Sequence, residues 1–261
     1  MTATAIISGL QQLGYERYDL ASALGVSATD AGLRGLTTEF EELPPDPYAP
    51  EDGRFRRFGR GVLLPWNGAF HWMPDTAAAD GSQDDGVTLY QQGAYNPEYL
   101  GLVRRIPGLT EGVRRNSLLA EMVSFDFSQT TWNNAELCSP IVVGVHLIKL
   151  AVTGPGGRAV ASPNMLHQDG EPYTFAHLIY RRNVAGGENV IATPHCAGSV
   201  PEDVAPENLL DRFTISNPLD SYAVKDDMVS HYVAPITADS GSGPAERAIL
   251  LIDFTPMVPR T

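Results

Sequence analysis

The spacing of apolar positions changes character once along the chain. Over residues 1–50 it is helical: Leu33, Leu36, Phe40 and Leu43 recur at three- and four-residue intervals and so share one helix face. Ser27 followed by Asp30 reads as an N-cap with a capping-box-like acid, opening a helix that runs towards Glu42. Pro44, Pro45, Pro47 and Pro50 then stop it. Beyond them come short strand-like runs, Gly61–Trp66, Ala69–Met73 and Val87–Gln91, with Asp75–Gly86 as a surface loop. Helical periodicity returns over Asn96–Arg105 and Thr110–Ser124. In the second, Thr110 is the expected N-cap and Val113, Leu118, Leu119 and Met122 form the apolar stripe. From Pro140 the chain is strand-like almost throughout: Pro140–Val152, Tyr173–Arg181, Glu188–Thr193, Phe213–Ser216, Met228–Val233 and Ala248–Phe254. Ala185-Gly186-Gly187 signals a hairpin, and Asp239–Pro244 a flexible loop. Helices feeding many short strands predict an α+β, mainly β, fold of sandwich or jelly-roll type.

Composition narrows the class. The 261 residues are 43% apolar and 19% charged, a globular balance rather than a disordered one. That length suits one large domain or two small ones. No apolar run approaches the roughly 20 residues of a membrane-spanning helix. The first residues carry no basic n-region, so a signal peptide is not expected. A net charge of −13 disfavours nucleic acid and anionic membrane as partners. The densest basic group, Arg54, Arg56, Arg57 and Arg60, reads as a solvated strand or loop. Cys138 and Cys196 form no CxxC pair and are expected as free buried thiols in a cytoplasmic protein; a homodimer is compatible with the sequence but not specified by it.

Several common chemistries are missing. Gly154–Ala159 fits GxGxxA, but Pro163 and Asn164 follow too soon for the helix a dinucleotide site needs, so it reads as a turn. HExxH, GxSxG and GxxxxGK[ST] do not occur. His167-Gln168-Asp169 is the informative triplet. On a strand, residues i and i+2 face the same way, so an imidazole and a carboxylate converge. A second histidine from a distant strand, His231, would complete a two-His-one-carboxylate face with open positions for non-haem Fe(II). Arg247 leads the apolar strand Ala248–Phe254 and needs a partner if it points inward; a dicarboxylate supplies one. The spacing equally allows His231 as a packed strand residue and Arg247 in a surface ion pair.

The ordered set His167-Gln-Asp-Gly170, Tyr180-Arg-Arg-Asn183, Gly186-Gly-Glu188, His231 and Arg247 resembles the bacterial Fe(II)/2-oxoglutarate-dependent dioxygenases of the free L-amino acid hydroxylase, L-isoleucine dioxygenase-like, branch. Arg54–Arg57 and Gln91, Tyr95, Asn96 and Arg105 extend the resemblance, which covers roughly residues 50–255. It implies a double-stranded β-helix, or jelly roll, with N-terminal and flanking helices. The dioxygenase domain would fill 1–261, with residues 1–50 helical and 51–261 the jelly-roll core with inserted helices. It implies Fe(II) held by His167, Asp169 and His231, with O₂ and the cosubstrate 2-oxoglutarate, whose distal carboxylate Arg247 binds. The link from His231 to Arg247 is longer than in many members, lengthened by Asp239–Pro244. The implied reaction hydroxylates an unactivated C–H of a small free L-amino acid, with succinate and CO₂ as coproducts.

Candidate substrate contacts are Arg181 or Arg182, of which alternation turns only one inward, with Gln91, Asn96 and Glu188. His71, His146, His177 and His195 read as structural histidines, and Trp66, Trp72 and Trp132 as core. Two other functions stay open: a cupin-like metal enzyme, isomerase or hydrolase, using the same triad, and a non-catalytic binding or biofilm-related module.

Overall fold

The computed structural model describes residues 8–76, 86–154, 156–239 and 243–257. In chain order its strands are β1 (Tyr15–Asp19), β2 (Arg54–Leu64), β3 (Ala69–Trp72), β4 (Val87–Tyr90), β5 (Arg104–Pro107), β6 (Ile141–Val152), β7 (Tyr173–Arg182), β8 (Val184–Gly186), β9 (Asn189–Ala192), β10 (Leu209–Phe213), β11 (Asp220–Lys225), β12 (Ser230–Val233), β13 (Ile236–Ala238) and β14 (Ala245–Pro256). The helices are α1 (Gly9–Leu13), α2 (Leu20–Leu24), α3 (Ala31–Glu41), α4 (Glu111–Arg114), α5 (Ser117–Gln129) and α6 (Asn134–Leu137). A seven-stranded antiparallel sheet runs β1-β11-β7-β14-β6-β2-β3, and a three-stranded sheet runs β10-β9-β12. This is the mainly β jelly roll with flanking helices that the strand pattern predicts.

Strand alternation gives the large sheet two chemically distinct faces. Val143, Val145 and Leu147 of β6 and Leu250, Ile252 and Phe254 of β14 point one way. There they join Leu36 and Phe40 of α3 and Leu119 and Met122 of α5 in the main core. The other face carries Ala176, Leu178, Tyr222, Val224 and Ile249, which pack with Ile191 of the smaller sheet. His146, Ile148, Leu150, Arg247, Leu251 and Asp253 share that inner face and line a cleft. The helices therefore cover one side of the sheet, and the chemistry lies on the other.

A buried network ties α5 to the helix-covered face. His177 Nε2 lies 2.9 Å from Asp126 Oδ2, and its Nδ1 lies 2.8 Å from Ser221 Oγ. All three are essentially inaccessible to solvent, so this Ser-His-Asp constellation is a clamp and not a catalytic triad. Burial pushes the Asp126 carboxyl up, and His177 opposes that shift.

The structure corrects several sequence expectations. Asp30, not Ser27, caps α3, because its carboxylate accepts from the Gly32 and Leu33 amides. Asn96–Arg105 is a short 3₁₀ turn, Pro97–Tyr99, followed by β5 rather than a helix. Thr110–Ser124 is broken in two, since Asn116 caps a second helix through the Leu119 amide. The strand expected at Gly61 begins at Arg54, so the basic run is a strand whose Arg54 and Arg56 are buried. The strand expected over Phe213–Ser216 lies at Leu209–Phe213. β1 and β11 carry weak strand signals: β1, Tyr-Glu-Arg-Tyr-Asp, has no apolar alternation, and the apolar stretch of β11 is short. Cys196 is buried but Cys138 is exposed, and both are free. Trp66 is exposed rather than core. His71 and His195 are also exposed. Most of Asp75–Gly86 and half of Asp239–Pro244 lie outside the described residues.

Removing one partner of a buried pair strands the other. Asp126→Ala is expected to lower unfolding stability by about 3 kcal/mol, measured by urea denaturation. Glu121→Ala, on the exposed face of the same helix, is expected to stay within about 0.5 kcal/mol of the parent.

Candidate active site

Two backbone hydrogen bonds bring distant residues together. His167 and His231 bridge antiparallel, each amide donating to the other's carbonyl at 2.9 Å. Their rings consequently lie 4.3 Å apart between centroids. Asp169 stands two residues on, with Oδ1 3.5 Å from His167 Nε2 and Oδ2 3.4 Å from His231 Nε2. One donor atom from each of the three lies within 4.8 Å of the others. The carboxylate–imidazole separations exceed good hydrogen-bond lengths, which leaves room for a cation among the three atoms.

The supporting contacts fix this geometry. The Asp226 carboxylate accepts the amides of Asp169 and Gly170 at 2.7 and 2.9 Å, and Gln168 donates to the Asp226 carbonyl. Gly170 has φ of +87°, a conformation open to glycine, and this lets the chain turn away directly after Asp169. His167 Nδ1 faces the Met165 carbonyl at 2.9 Å, so it carries the proton and Nε2 turns its lone pair towards Asp169. Burial pushes the Asp169 carboxyl up, but the two imidazoles outweigh it and hold the group well below its usual range. A carboxylate and two imidazole nitrogens converging on one point are the donor set that suits a divalent iron with open coordination positions.

Arg247 lies deeper on β14, and its buried Nε has no hydrogen-bond partner. Burial pushes its guanidinium down to about 10, so it is still charged at neutral pH. No carboxylate pairs with it among the described residues. Arg181 stands opposite Arg247 in the β14–β7 register, and a β-bulge follows between Ala248 and Ile249. Arg181 donates to the carbonyls of Val184 and Gly186, and its Nη1 is likewise buried without a partner. Gly187 leaves the space between them open: a Cβ there would stand 3.2 Å from Arg181 Nη1 and 3.3 Å from Arg247 Cδ. The strand β13, paired with β8, accounts for part of the long link between His231 and Arg247.

The other sequence candidates are spread more widely. Arg182 is on the surface with Glu41 and Glu246. Glu188 is exposed and pairs with Arg212 at 2.9 Å. Gln91 is exposed, whereas its neighbour Gln92 lines the cleft. Asn96 is buried, accepts the Glu98 amide at 3.0 Å and donates to Gln92 Oε1 at 3.2 Å.

The cleft also contains residues that sequence reasoning passed over: Arg56, Tyr90, Arg104, His146 and Asp253. His146, read as structural, lines the cleft between Arg56 and Asp253. Strand alternation was the available signal, since His146 is in phase with Ile148 and Leu150 on β6.

The comparisons agree with this geometry. Residues 37–253 match the family model described as 2OG-Fe dioxygenase. The 3(1)-hydroxy-L-isoleucine 4-dioxygenase of Pantoea ananatis is 30% identical over 166 residues, which make up 63% of this chain and 62% of that protein. The L-isoleucine-4-hydroxylase of Bacillus thuringiensis is 29% identical over 175 residues, 66% of this chain and 67% of its own length. The crystal structure of a bsmA homolog from Methylobium petroleophilum superposes with a TM-score of 0.71 at 19% identity, covering 97% of this chain and 92% of that one. The last likeness shows a shared fold. With a family match running from α3 almost to the end of β14, the chain belongs to the 2OG-Fe dioxygenases, enzymes of Fe(II), 2-oxoglutarate and O₂.

Proposed function

We propose that this chain is a cytoplasmic enzyme that hydroxylates an unactivated C–H bond of a small free L-amino acid. The observation that carries the proposal is the convergence of His167, Asp169 and His231 at one end of a cleft whose other end holds an unpaired, buried Arg247. The relatives from Pantoea and Bacillus, named for isoleucine derivatives and isoleucine, support an amino acid as substrate. The two free cysteines fit a reducing compartment.

His167 and His231 would hold iron through Nε2, and Asp169 through one carboxylate oxygen. When bound, Fe(II) with 2-oxoglutarate and O₂ supplies the oxidising power, with the cosubstrate leaving as succinate and CO₂ and one oxygen atom going to each organic product. The protein does the rest by placement. Arg247 receives the distal carboxylate of the cosubstrate, since a buried guanidinium without a counter-ion gains most from a bidentate anion. Tyr222 faces the same cleft close enough to act on Arg247 electrostatically. Ile148, Ile249 and Val233 line the passage with apolar surface, which keeps water from the reacting atoms. Asp226 holds no ligand position itself; it keeps Asp169 in place through two backbone amides.

Anaerobic titration of the protein with Fe(II) and 2-oxoglutarate is expected to give a weak visible charge-transfer band, and Asp169→Ala to abolish it; a band that survives the substitution contradicts the ligand assignment. Arg247→Ala is expected to raise the KM for 2-oxoglutarate by roughly 30-fold or more in a succinate-release assay, with iron content unchanged. Asp226→Ala should weaken Fe(II) binding by about 10- to 100-fold, read by competition with a chelator, while far-UV circular dichroism stays as in the parent.

A further inference from the structure

The metal ligands and Arg247 account for only part of the cleft lining. The wall formed by β2, β4, β5 and the C-terminal part of β14 holds more buried charge than that reading uses. Arg54, Arg56 and Arg104 all face it. Arg54 is neutralised by Asp46 at 2.8 Å. Arg56 and Arg104 have no carboxylate partner among the described residues, and the Nε of each is buried without a hydrogen bond. Both guanidiniums stack on Tyr90, at 5.0 and 4.7 Å from the ring centroid, and Arg104 Nη2 donates to Gln92 at 2.6 Å. Two buried cations without an anion imply that a carboxylate or similar group arrives with a ligand.

An acid stands across from them. Arg56 Nη2 lies 2.6 Å from His146 Nδ1. A guanidinium can only donate, so Nδ1 accepts and the ring proton is on Nε2, which donates to Asp253 Oδ2 at 3.0 Å. Phe58 stacks on the imidazole at 4.1 Å and Tyr90 meets it edge-on at 5.0 Å, so the ring is fixed on both sides. The chain Arg56–His146–Asp253 thus presents a cation and an anion on one wall, separated by one imidazole and its two hydrogen bonds. Gly144, opposite Asp253 in the β6–β14 register, makes the arrangement possible: a Cβ there would land on the Asp253 carboxylate. A glycine inside a strand weakens it and marks close approach, and here what approaches is the acid.

We propose that this wall is the head-group subsite for the hydroxylated substrate. Arg56, backed by Arg104, takes a free α-carboxylate, and Asp253 takes the α-ammonium. The proposal rests on the reading of the cleft as an amino acid hydroxylase site and goes further by requiring both charges of the zwitterion. The subsite is distinct from the cosubstrate end: Asp253 and Arg247 share a face of β14 about 20 Å apart at roughly 3.4 Å per residue. The iron ligand Asp169 lines the same cleft and acts electrostatically on both His146 and Tyr90. A substrate anchored by its head group at this wall has its side chain free to reach the metal. Amides, esters and carrier thioesters of the same amino acid offer Arg56 no anion and are excluded.

The test is calorimetric titration of the anaerobic protein loaded with Fe(II) and 2-oxoglutarate, using the common free L-amino acids, L-isoleucine first. For every amino acid that binds, the amide and the N-acetyl derivative should bind roughly 30-fold more weakly or worse. Arg56→Gln and Asp253→Asn should produce similar losses with the free amino acid. Gly144→Ala, which leaves both charges in place but displaces the acid, should raise the Kd for the amino acid and leave the Kd for 2-oxoglutarate unchanged, a split that general structural damage would not give. Equal binding of L-isoleucine and L-isoleucinamide, or undiminished affinity in Arg56→Gln, overturns the assignment. If no free amino acid binds while 2-oxoglutarate still does, the subsite fails and the iron–cosubstrate reading stands. If 2-oxoglutarate fails to bind the unaltered protein, both fail.

Discussion

The reciprocal pair of hydrogen bonds between the backbones of His167 and His231 is the constraint on which the site depends. Those residues are far apart in the chain, and only this bridge sets their side chains on the same side at a shared height. Asp169 then reaches the gap because strand alternation returns it to His167's face, and because Asp226 and Gly170 hold the turn that follows. The three donor atoms come from side chains whose backbones these hydrogen bonds hold in place. Such preorganisation is what an open-sided metal centre requires if some positions are to stay available to cosubstrate and O₂.

Around that centre the fold separates greasy packing from charge by using the two faces of one sheet. The face under α3 and α5 is mainly apolar, and its buried polar groups include the Asp126–His177–Ser221 clamp and Lys149, which donates to the Glu41 carbonyl of α3. The cleft on the inner side is lined by guanidiniums with buried, unpaired atoms: Arg56 and Arg247 of the large sheet and Arg104 of β5. Leaving such groups uncompensated is costly in a folded chain. The cost makes sense if ligands complete the pairs, with Arg247 and the Arg56–His146–Asp253 wall serving different carboxylates within the same cleft.

Much of this was legible in the sequence where the signal was periodic or ordered. The apolar stripe of α3, the β-branched run of β6 and the strand after Arg247 follow from side-chain spacing alone. His167-Gln-Asp-Gly170 followed by His231 and Arg247 marked the family, and residues 37–253 match its model. The wall proposed to bind substrate was less readable because its signals oppose the usual rules. Arginines in β2 looked solvated because buried charge is rare, yet Arg54 and Arg56 are almost inaccessible. Gln91 and Gln92, or Arg104 and Arg105, differ only in strand phase, and a one-residue shift exchanges inside for outside. A bulge between Ala248 and Ile249 resets the register with β7, so plain alternation could not tell which of Arg181 and Arg182 turns inward. His146 lay in a hydrophobic run and resembled a packed core residue, whereas its neighbours across the sheet make it a link between charges.

The most direct measurement is mass spectrometry of reactions run under ¹⁸O₂ with Fe(II), 2-oxoglutarate and a free L-amino acid. The account predicts one labelled oxygen atom in the amino acid product and one in succinate, in equal amounts. Succinate formed without any oxygenated amino acid across the common L-amino acids, or an amino acid product whose new oxygen comes only from water, would contradict it.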